Sequence, residues 1–132
     1  MLLKLNFESD IPIYVQLRNQ IVMGIGLGQL QPGESLPTVR QMAEDIGINA
    51  MTVNKSYTIL KNEGFISIDR RHGATVNIKI PDKNEICEKL EEELALVISE
   101  AGLKGITKND FFNICDKLFN ELSGLNKVIL SE

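Results

Sequence analysis

Apolar residues recur at every fourth position from Ile13 through Leu17 and Ile21 to Ile25, the spacing of a helix with one apolar stripe. Pro12 stands just ahead, where the first turn of a helix has no use for the N–H that proline lacks. Gly24, Gly26 and Gly28 weaken the far turn, so the pattern predicts that this helix ends near Met23. Leu30 to Pro37 then reads LQPGESLP, a turn-rich connection in which Pro-Gly suits a reverse turn and Pro37 bars helix upstream of it.

The helical period resumes with Val39, Met42, Ala43 and Ile46, which predicts a short amphipathic helix. Ahead of it, Thr38 and Gln41 spell a capping box in which each side chain satisfies a backbone N–H of the other. Gly47 allows a positive φ just past the helix end, and Asn49 is a good N-cap for the next helix. Val53, Tyr57 and Leu60 form the inward side of that helix, and Asn62-Glu63-Gly64 ends it. Two short helices joined by about three residues, a Gly among them, are the pattern of a helix-turn-helix. Phe65, Ile66 and Ile68 follow as a β-like run, and Ala74, Val76, Ile78 and Ile80 alternate, with Asp69 to Gly73 (DRRHG) as the tip between them. A helix, a helix-turn-helix and a hairpin make the layout of a winged helix.

Pro81 closes this unit. Between Asn84 and Ala101, Ile86, Leu90, Leu94, Val97, Ile98 and Ala101 make a helical stripe opposite an acidic face with Glu91-Glu92-Glu93; Gly102 and Gly105 break it. Thr107 and Asp110 cap a last helix, which runs to about Leu122 and is apolar over a wide arc that includes Ile114. The expected fold class is therefore mainly α with a small β-hairpin wing: a winged helix-turn-helix in residues 1–80, followed by a short two-helix dimerisation segment in residues 81–132. Two helices cannot bury so wide an apolar arc by themselves, and an exposed patch of that size marks an interface. Leu90, Leu94, Val97, Phe111, Phe112, Cys115, Leu118, Phe119 and Leu122 are the candidate dimerisation residues; the alternative is that they pack on the winged helix.

Composition narrows the class. The chain has 132 residues, 43% hydrophobic and 24% charged, which fits a globular protein and not a disordered one. No run of about 18 apolar residues is present and the N-terminus carries no secretory pattern, so neither a membrane span nor export is expected. Cys87 and Cys115 lack metal-ligand spacing and read as free thiols in a reducing cytoplasm. With one His, no Cys/His pairing, no phosphate-cradling glycine loop and no carboxylate pair tied to a base, the chain is not expected to be an enzyme or to hold a cofactor or metal.

Net charge changes the picture only once it is divided. The total of −4 argues against a nucleic-acid partner, yet residues 1–80 hold 8 Lys and Arg against 7 Asp and Glu, a balance of +1, and residues 81–132 hold 6 against 11, a balance of −5. The field at a contact face matters more than the sum, so a near-neutral first part with clustered bases can still bind phosphate.

With Val53, Tyr57 and Leu60 inward, helical geometry turns Ala50, Met51, Asn54, Lys55 and Thr58 outward. The first turn of a helix is where a major-groove reader carries its side chains. Asn can hydrogen-bond an adenine edge, Met and Ala can touch a thymine methyl, and Thr or Lys can hold phosphate. Arg40 faces outward near the start of the preceding helix, and Arg70, Arg71 and His72 add donors at the wing tip beside Gly73, which permits close backbone approach. Each cluster alone is equally an ordinary solvated face; all three on one fold pattern point to DNA.

The block LQPGESLPTVRQMAEDIGINAMTVNKSYTILKNEGFI resembles the winged-helix region of GntR-family bacterial transcription regulators. The PIYVQLRNQI helix, the INAMTVNKSY segment and the short C-terminal part are similar to the YtrA-type subfamily. The match is close from Pro12 to Gly64, looser through the wing and only architectural after Pro81. The resemblance implies DNA contact by Arg40, Asn49, Met51, Thr52, Asn54 and Lys55 and by the wing around His72-Gly73. The wing departs from the family's usual G-x-G-[TS]-[FY]-V, and Ala50-Met51 stand where relatives often carry Pro and Asn.

The candidate DNA-contacting set is thus Thr38, Arg40, Asn49, Ala50, Met51, Thr52, Asn54, Lys55, Arg70, Arg71, His72 and Gly73. The expected protein is a cytoplasmic repressor that binds double-stranded DNA as a homodimer, on an inverted repeat with half-sites about one helical turn apart. The resemblance also implies repression of its own operon, often beside transporter genes, and leaves any small-molecule effector open. The alternative is a winged-helix protein–protein adaptor without specific DNA binding; salt separates the two, because counterion release makes only the DNA contact strongly salt-dependent.

Overall fold

The computed structural model of the chain describes residues 3–78 and 83–122. They form two compact units, Met1–Lys79 and Ile80–Glu132. The first contains helices α1 (Ile13–Gly26), α2 (Val39–Ile46) and α3 (Ala50–Asn62), followed by strands β1 (Ile66–Asp69) and β2 (Gly73–Val76). The second contains α4 (Lys83–Leu103) and α5 (Lys108–Glu121).

Helix α1 does not stop at Met23 but continues to Gly26. Gly24 and Gly26 are buried within its last turn. Beyond it the chain folds back: Gln29 and Leu30 both donate their N–H to the Gly24 carbonyl, at 2.9 and 3.1 Å, and Leu30 is buried. Tertiary anchoring at this end outweighs the weak helix propensity of glycine. Ahead of α1, Gln16 and Gln20 hold the N-terminal segment. The Lys4 N–H donates to Gln20 Oε1 at 2.6 Å and the Asn6 N–H to Gln16 Oε1 at 2.8 Å, while each carboxamide donates back to the carbonyl of the same residue. Leu3 and Leu5, alternating with these, pack against the core.

That core is aliphatic apart from one phenol. Leu17 and Ile21 of α1, Val53 and Leu60 of α3, and Leu30, Leu36, Met42, Ile66 and Val76 form one buried cluster with Tyr57. The Tyr57 hydroxyl donates to the Pro37 carbonyl at 2.7 Å, and burial pushes its pKa up to about 12. Ser56 is fully buried and donates to the Tyr14 carbonyl at 2.7 Å, which joins α3 to the first turn of α1. Arg18 of α1 makes a two-pronged ion pair with Glu63 at 2.9 and 2.8 Å and lies 5.5 Å from the Phe65 ring centroid, tying the far end of α3 to the same helix.

The hairpin is antiparallel, with Ile66 opposite Val76 and Asp69 opposite Gly73. The expected alternation ends earlier than the sequence pattern: β2 stops at Val76, and Ile78 is exposed. Its partner strand has run out there, because Phe65 and Gly64 already belong to the exit from α3; Asn77 closes the ladder by donating to the Phe65 and Gly64 carbonyls at 3.0 and 2.7 Å. Ile80 and Pro81, also assigned from sequence, lie outside the described residues. The LQPGESLP connection does more than turn. Its Gly33 and Leu36 N–H groups donate to the Val76 and Ala74 carbonyls, both at 2.8 Å, and Ser35 bridges Thr75, so the segment adds a third edge to the wing.

In the second unit α4 runs through Gly102 to Leu103, so this glycine does not break the helix; the reversal comes at Gly105, whose φ is +92°. The Thr107–Asp110 capping box is complete, with both reciprocal bonds at 3.1 Å. No described residue of α4 or α5 is fully buried. The described residues contain no helix long and apolar enough to cross a membrane.

Candidate nucleic-acid interface

The exposed face at the start of α3 is built by local capping. Thr38 Oγ1 accepts the Gln41 N–H at 3.1 Å and starts α2, but the reciprocal half of the expected box is absent: the Gln41 carboxamide donates instead to Asp45 at 2.7 Å. That pairing at i, i+4 leaves Gln41 on the solvent face of α2. Gly47 takes φ +70° at the end of α2, a left-handed conformation that glycine adopts without steric cost. Asn49 Oδ1 then accepts the Met51 N–H at 2.7 Å, so α3 starts with only three residues between it and the end of α2.

This turn sets the rotation of α3. Val53, Ser56, Tyr57 and Leu60 are buried, while Ala50, Met51, Asn54, Lys55 and Thr58 are exposed, Met51 by 78%. Ala50, Met51, Asn54 and Lys55 line one shallow cleft with Val39 of α2 and Thr58 and Ile59 of α3. Arg40, the second residue of α2, is exposed and has no hydrogen-bond or ion-pair partner among the described residues. Thr52 is half-buried at the edge of this face. Thr38 and Asn49 are exposed, but each commits a side-chain oxygen to a cap.

Two side chains that the sequence pattern did not single out shape these donors. Tyr14 of α1 lies beneath Lys55, whose ammonium is 3.9 Å from the ring centroid, so the lysine is held over an aromatic face. Tyr14 falls one residue off the Ile13–Leu17 stripe, and periodicity gives no reason to choose it. The other is Asp69. Its Oδ1 accepts the Arg71 N–H at 2.5 Å and the His72 N–H at 3.2 Å, and its Oδ2 lies 3.2 Å from His72 Nδ1. The hydrogen bond from the Arg71 N–H, followed by those from the His72 side chain and N–H, holds the Asp69 carboxyl below its ordinary range. The order it gives the tip is present above the usual carboxylate range and is lost as acid protonates it. An Asp opening a short loop is a recognised turn former, a signal that was available in the sequence.

Arg70, Arg71 and His72 form the exposed tip itself, closed by Gly73 at φ +68°. Among the described residues neither Arg70 nor Arg71 has a side-chain partner. Capped helices joined by a tight turn, an exposed polar first turn on α3 and a basic hairpin tip together form a surface suited to phosphates and base edges.

The family described as bacterial regulatory proteins, gntR family, matches residues 13–76. The HTH-type transcriptional regulator YhcF of Bacillus subtilis is 31% identical over 109 residues, which span 79% of this chain and 87% of the relative. The chain belongs to the GntR family. The HTH-type transcriptional repressor YtrA of Bacillus subtilis is 31% identical over 107 residues, spanning 80% of the regulator and 82% of the relative. The solved structure of YtrA from Sulfolobus acidocaldarius, a GntR-family transcription factor, matches with a TM-score of 0.57 at 33% identity and covers 91% of this chain and 98% of its own. A transcriptional antiterminator from Listeria monocytogenes gives a TM-score of 0.79 over 90% of this chain at 24% identity, a likeness of fold alone. The regulator is a YtrA-like, DNA-binding transcriptional regulator of the GntR family, and not an enzyme.

Proposed function

We propose that the regulator is a cytoplasmic repressor that binds an inverted-repeat operator as a homodimer. In this reading residues 1–80 bind DNA and residues 81–132 dimerise. The exposed first turn of α3 enters the major groove, where Asn54 is suited to an adenine edge and Ala50 and Met51 to thymine methyls. Lys55, Arg40, Thr38, Asn49 and Thr52 engage the backbone at its rim, and Arg70, Arg71, His72 and Gly73 reach the flanking phosphates from the wing. The observation that carries the reading is the division of α3 into a fully buried Val53-Tyr57-Leu60 stripe and an exposed polar first turn.

Dimerisation is supported by the surface of the second unit. Leu90, Val97 and Phe112 are exposed, and Leu94, Phe111, Cys115 and Phe119 line an apolar cleft of about 710 Å³ between α4 and α5. Leu118 is exposed and Leu122 half-buried at the end of α5. An apolar surface of this kind is covered when two copies meet. A gel-shift against the DNA upstream of the regulator's own gene tests the DNA half of the proposal. Arg40→Ala is expected to weaken binding by about 1–3 kcal/mol, roughly fivefold to 150-fold. Binding unchanged by that substitution contradicts the role given to Arg40.

A further inference from the structure

The hairpin tip is basic, yet the side chain that orders it is an acid. Tip residues Arg70, Arg71 and His72 hang from the last ladder pair, Asp69 opposite Gly73, with no further strand contact to fix them. The Asp69 carboxylate supplies what the ladder does not, accepting the Arg71 and His72 N–H groups at 2.5 and 3.2 Å and facing His72 Nδ1 at 3.2 Å. A loop fixed before contact loses less conformational freedom on docking than one that must be ordered. We infer that Asp69 is a positioning residue for DNA binding, presetting the wing tip so that Arg71 and His72 meet phosphate without reordering.

The inference can be tested because it opposes simple electrostatics. An acid beside phosphates repels them, so charge alone makes removal of Asp69 favourable to binding. Presetting makes its removal unfavourable unless the replacement keeps the acceptor. Asparagine retains Oδ1 for both backbone N–H groups and drops the charge; alanine drops both. The side chain is 55% exposed and outside the core, so either substitution leaves the winged unit folded.

The inference rests on the proposed wing contact, and the experiment separates the two. The full chain is titrated against a fluorescein-labelled duplex from the DNA upstream of its own gene, at several salt concentrations, as wild type, Asp69→Ala, Asp69→Asn and Arg71→Ala. Asp69→Ala is expected to bind about threefold to tenfold more weakly, from hydrogen bonds of ordinary strength no longer holding the tip. Its salt slope should fall by about one, as for a lost phosphate contact. Asp69→Asn should bind at least as tightly as wild type. If Arg71→Ala weakens binding while Asp69→Ala binds as well as wild type or better, or Asp69→Asn fails to restore what Asp69→Ala loses, the positioning role is overturned and the wing contact stands. If Arg71→Ala changes neither affinity nor salt slope, the wing is not at the interface and both readings fall.

Discussion

The two units of the regulator carry the same apolar period and use it differently. In the first, the stripe Ile13, Leu17, Ile21, Ile25 closes on α3, and Leu17, Ile21, Val53 and Leu60 lose all contact with solvent. In the second, Leu90, Leu94, Val97 and Leu118 keep between 38% and 51% of their surface. Amphipathic spacing records that a helix has a face to cover but not whether its own chain covers it. The winged unit is stapled from several directions, by Ser56 to Tyr14, Tyr57 to Pro37, Arg18 to Glu63 and the glutamine pair on the N-terminal segment. Among the described residues, the pair α4–α5 has a complete capping box and two exposed i, i+4 ion pairs, which order helices without closing a core.

The largest expected effect lies in the closed core. Leu60→Ala removes a fully buried side chain and should cost the winged unit about 2–5 kcal/mol in denaturant unfolding. The double substitution Leu94→Asp/Leu118→Asp is the counterpart in the open unit. It should convert a dimer to monomers in sedimentation while the winged unit unfolds at the same denaturant concentration. A large loss of winged-unit stability there would erase the contrast between the two units.

Tyr57→Phe sharpens the contrast more gently. It leaves the Pro37 carbonyl without its donor and should cost about 1–2 kcal/mol. Its pH dependence has a definite sign. The unfolded chain ionises this phenol near pH 10, and the folded state resists until about pH 12, so its contribution is complete below pH 10 and declines as pH rises through that interval. Wild type should therefore lose its advantage over Tyr57→Phe between those values, and an advantage that stays constant to the upper one would contradict burial as the cause.

Most of the fold could be read from residue spacing because the winged helix is built from local signals. Gly47 and Asn49 fix the turn by conformation and capping, and Val53-Tyr57-Leu60 fixes the rotation of α3. The features that residue spacing does not give depend on distant partners. The end of α1 is set by Leu30 returning to Gly24, the length of β2 by where α3 ends, and the bridging of LQPGESLP by a strand about forty residues away. Gln41 was free to choose between the cap and Asp45, and sequence does not rank the two. The outward residues of the candidate site followed from the buried stripe. Tyr14 and Asp69 did not, because one acts across a helix interface and the other has a charge opposite to that expected of a DNA contact.

In the proposed function the closed unit reads DNA and the open unit pairs two copies of it. The most direct measurement is the stoichiometry of the complex with an upstream duplex carrying one inverted repeat, by sedimentation velocity with protein and labelled DNA followed separately. Two chains per duplex are expected for wild type, with affinity falling sharply in Leu94→Asp/Leu118→Asp although its winged unit stays folded. One chain per duplex, or affinity indifferent to that double substitution, would contradict the account.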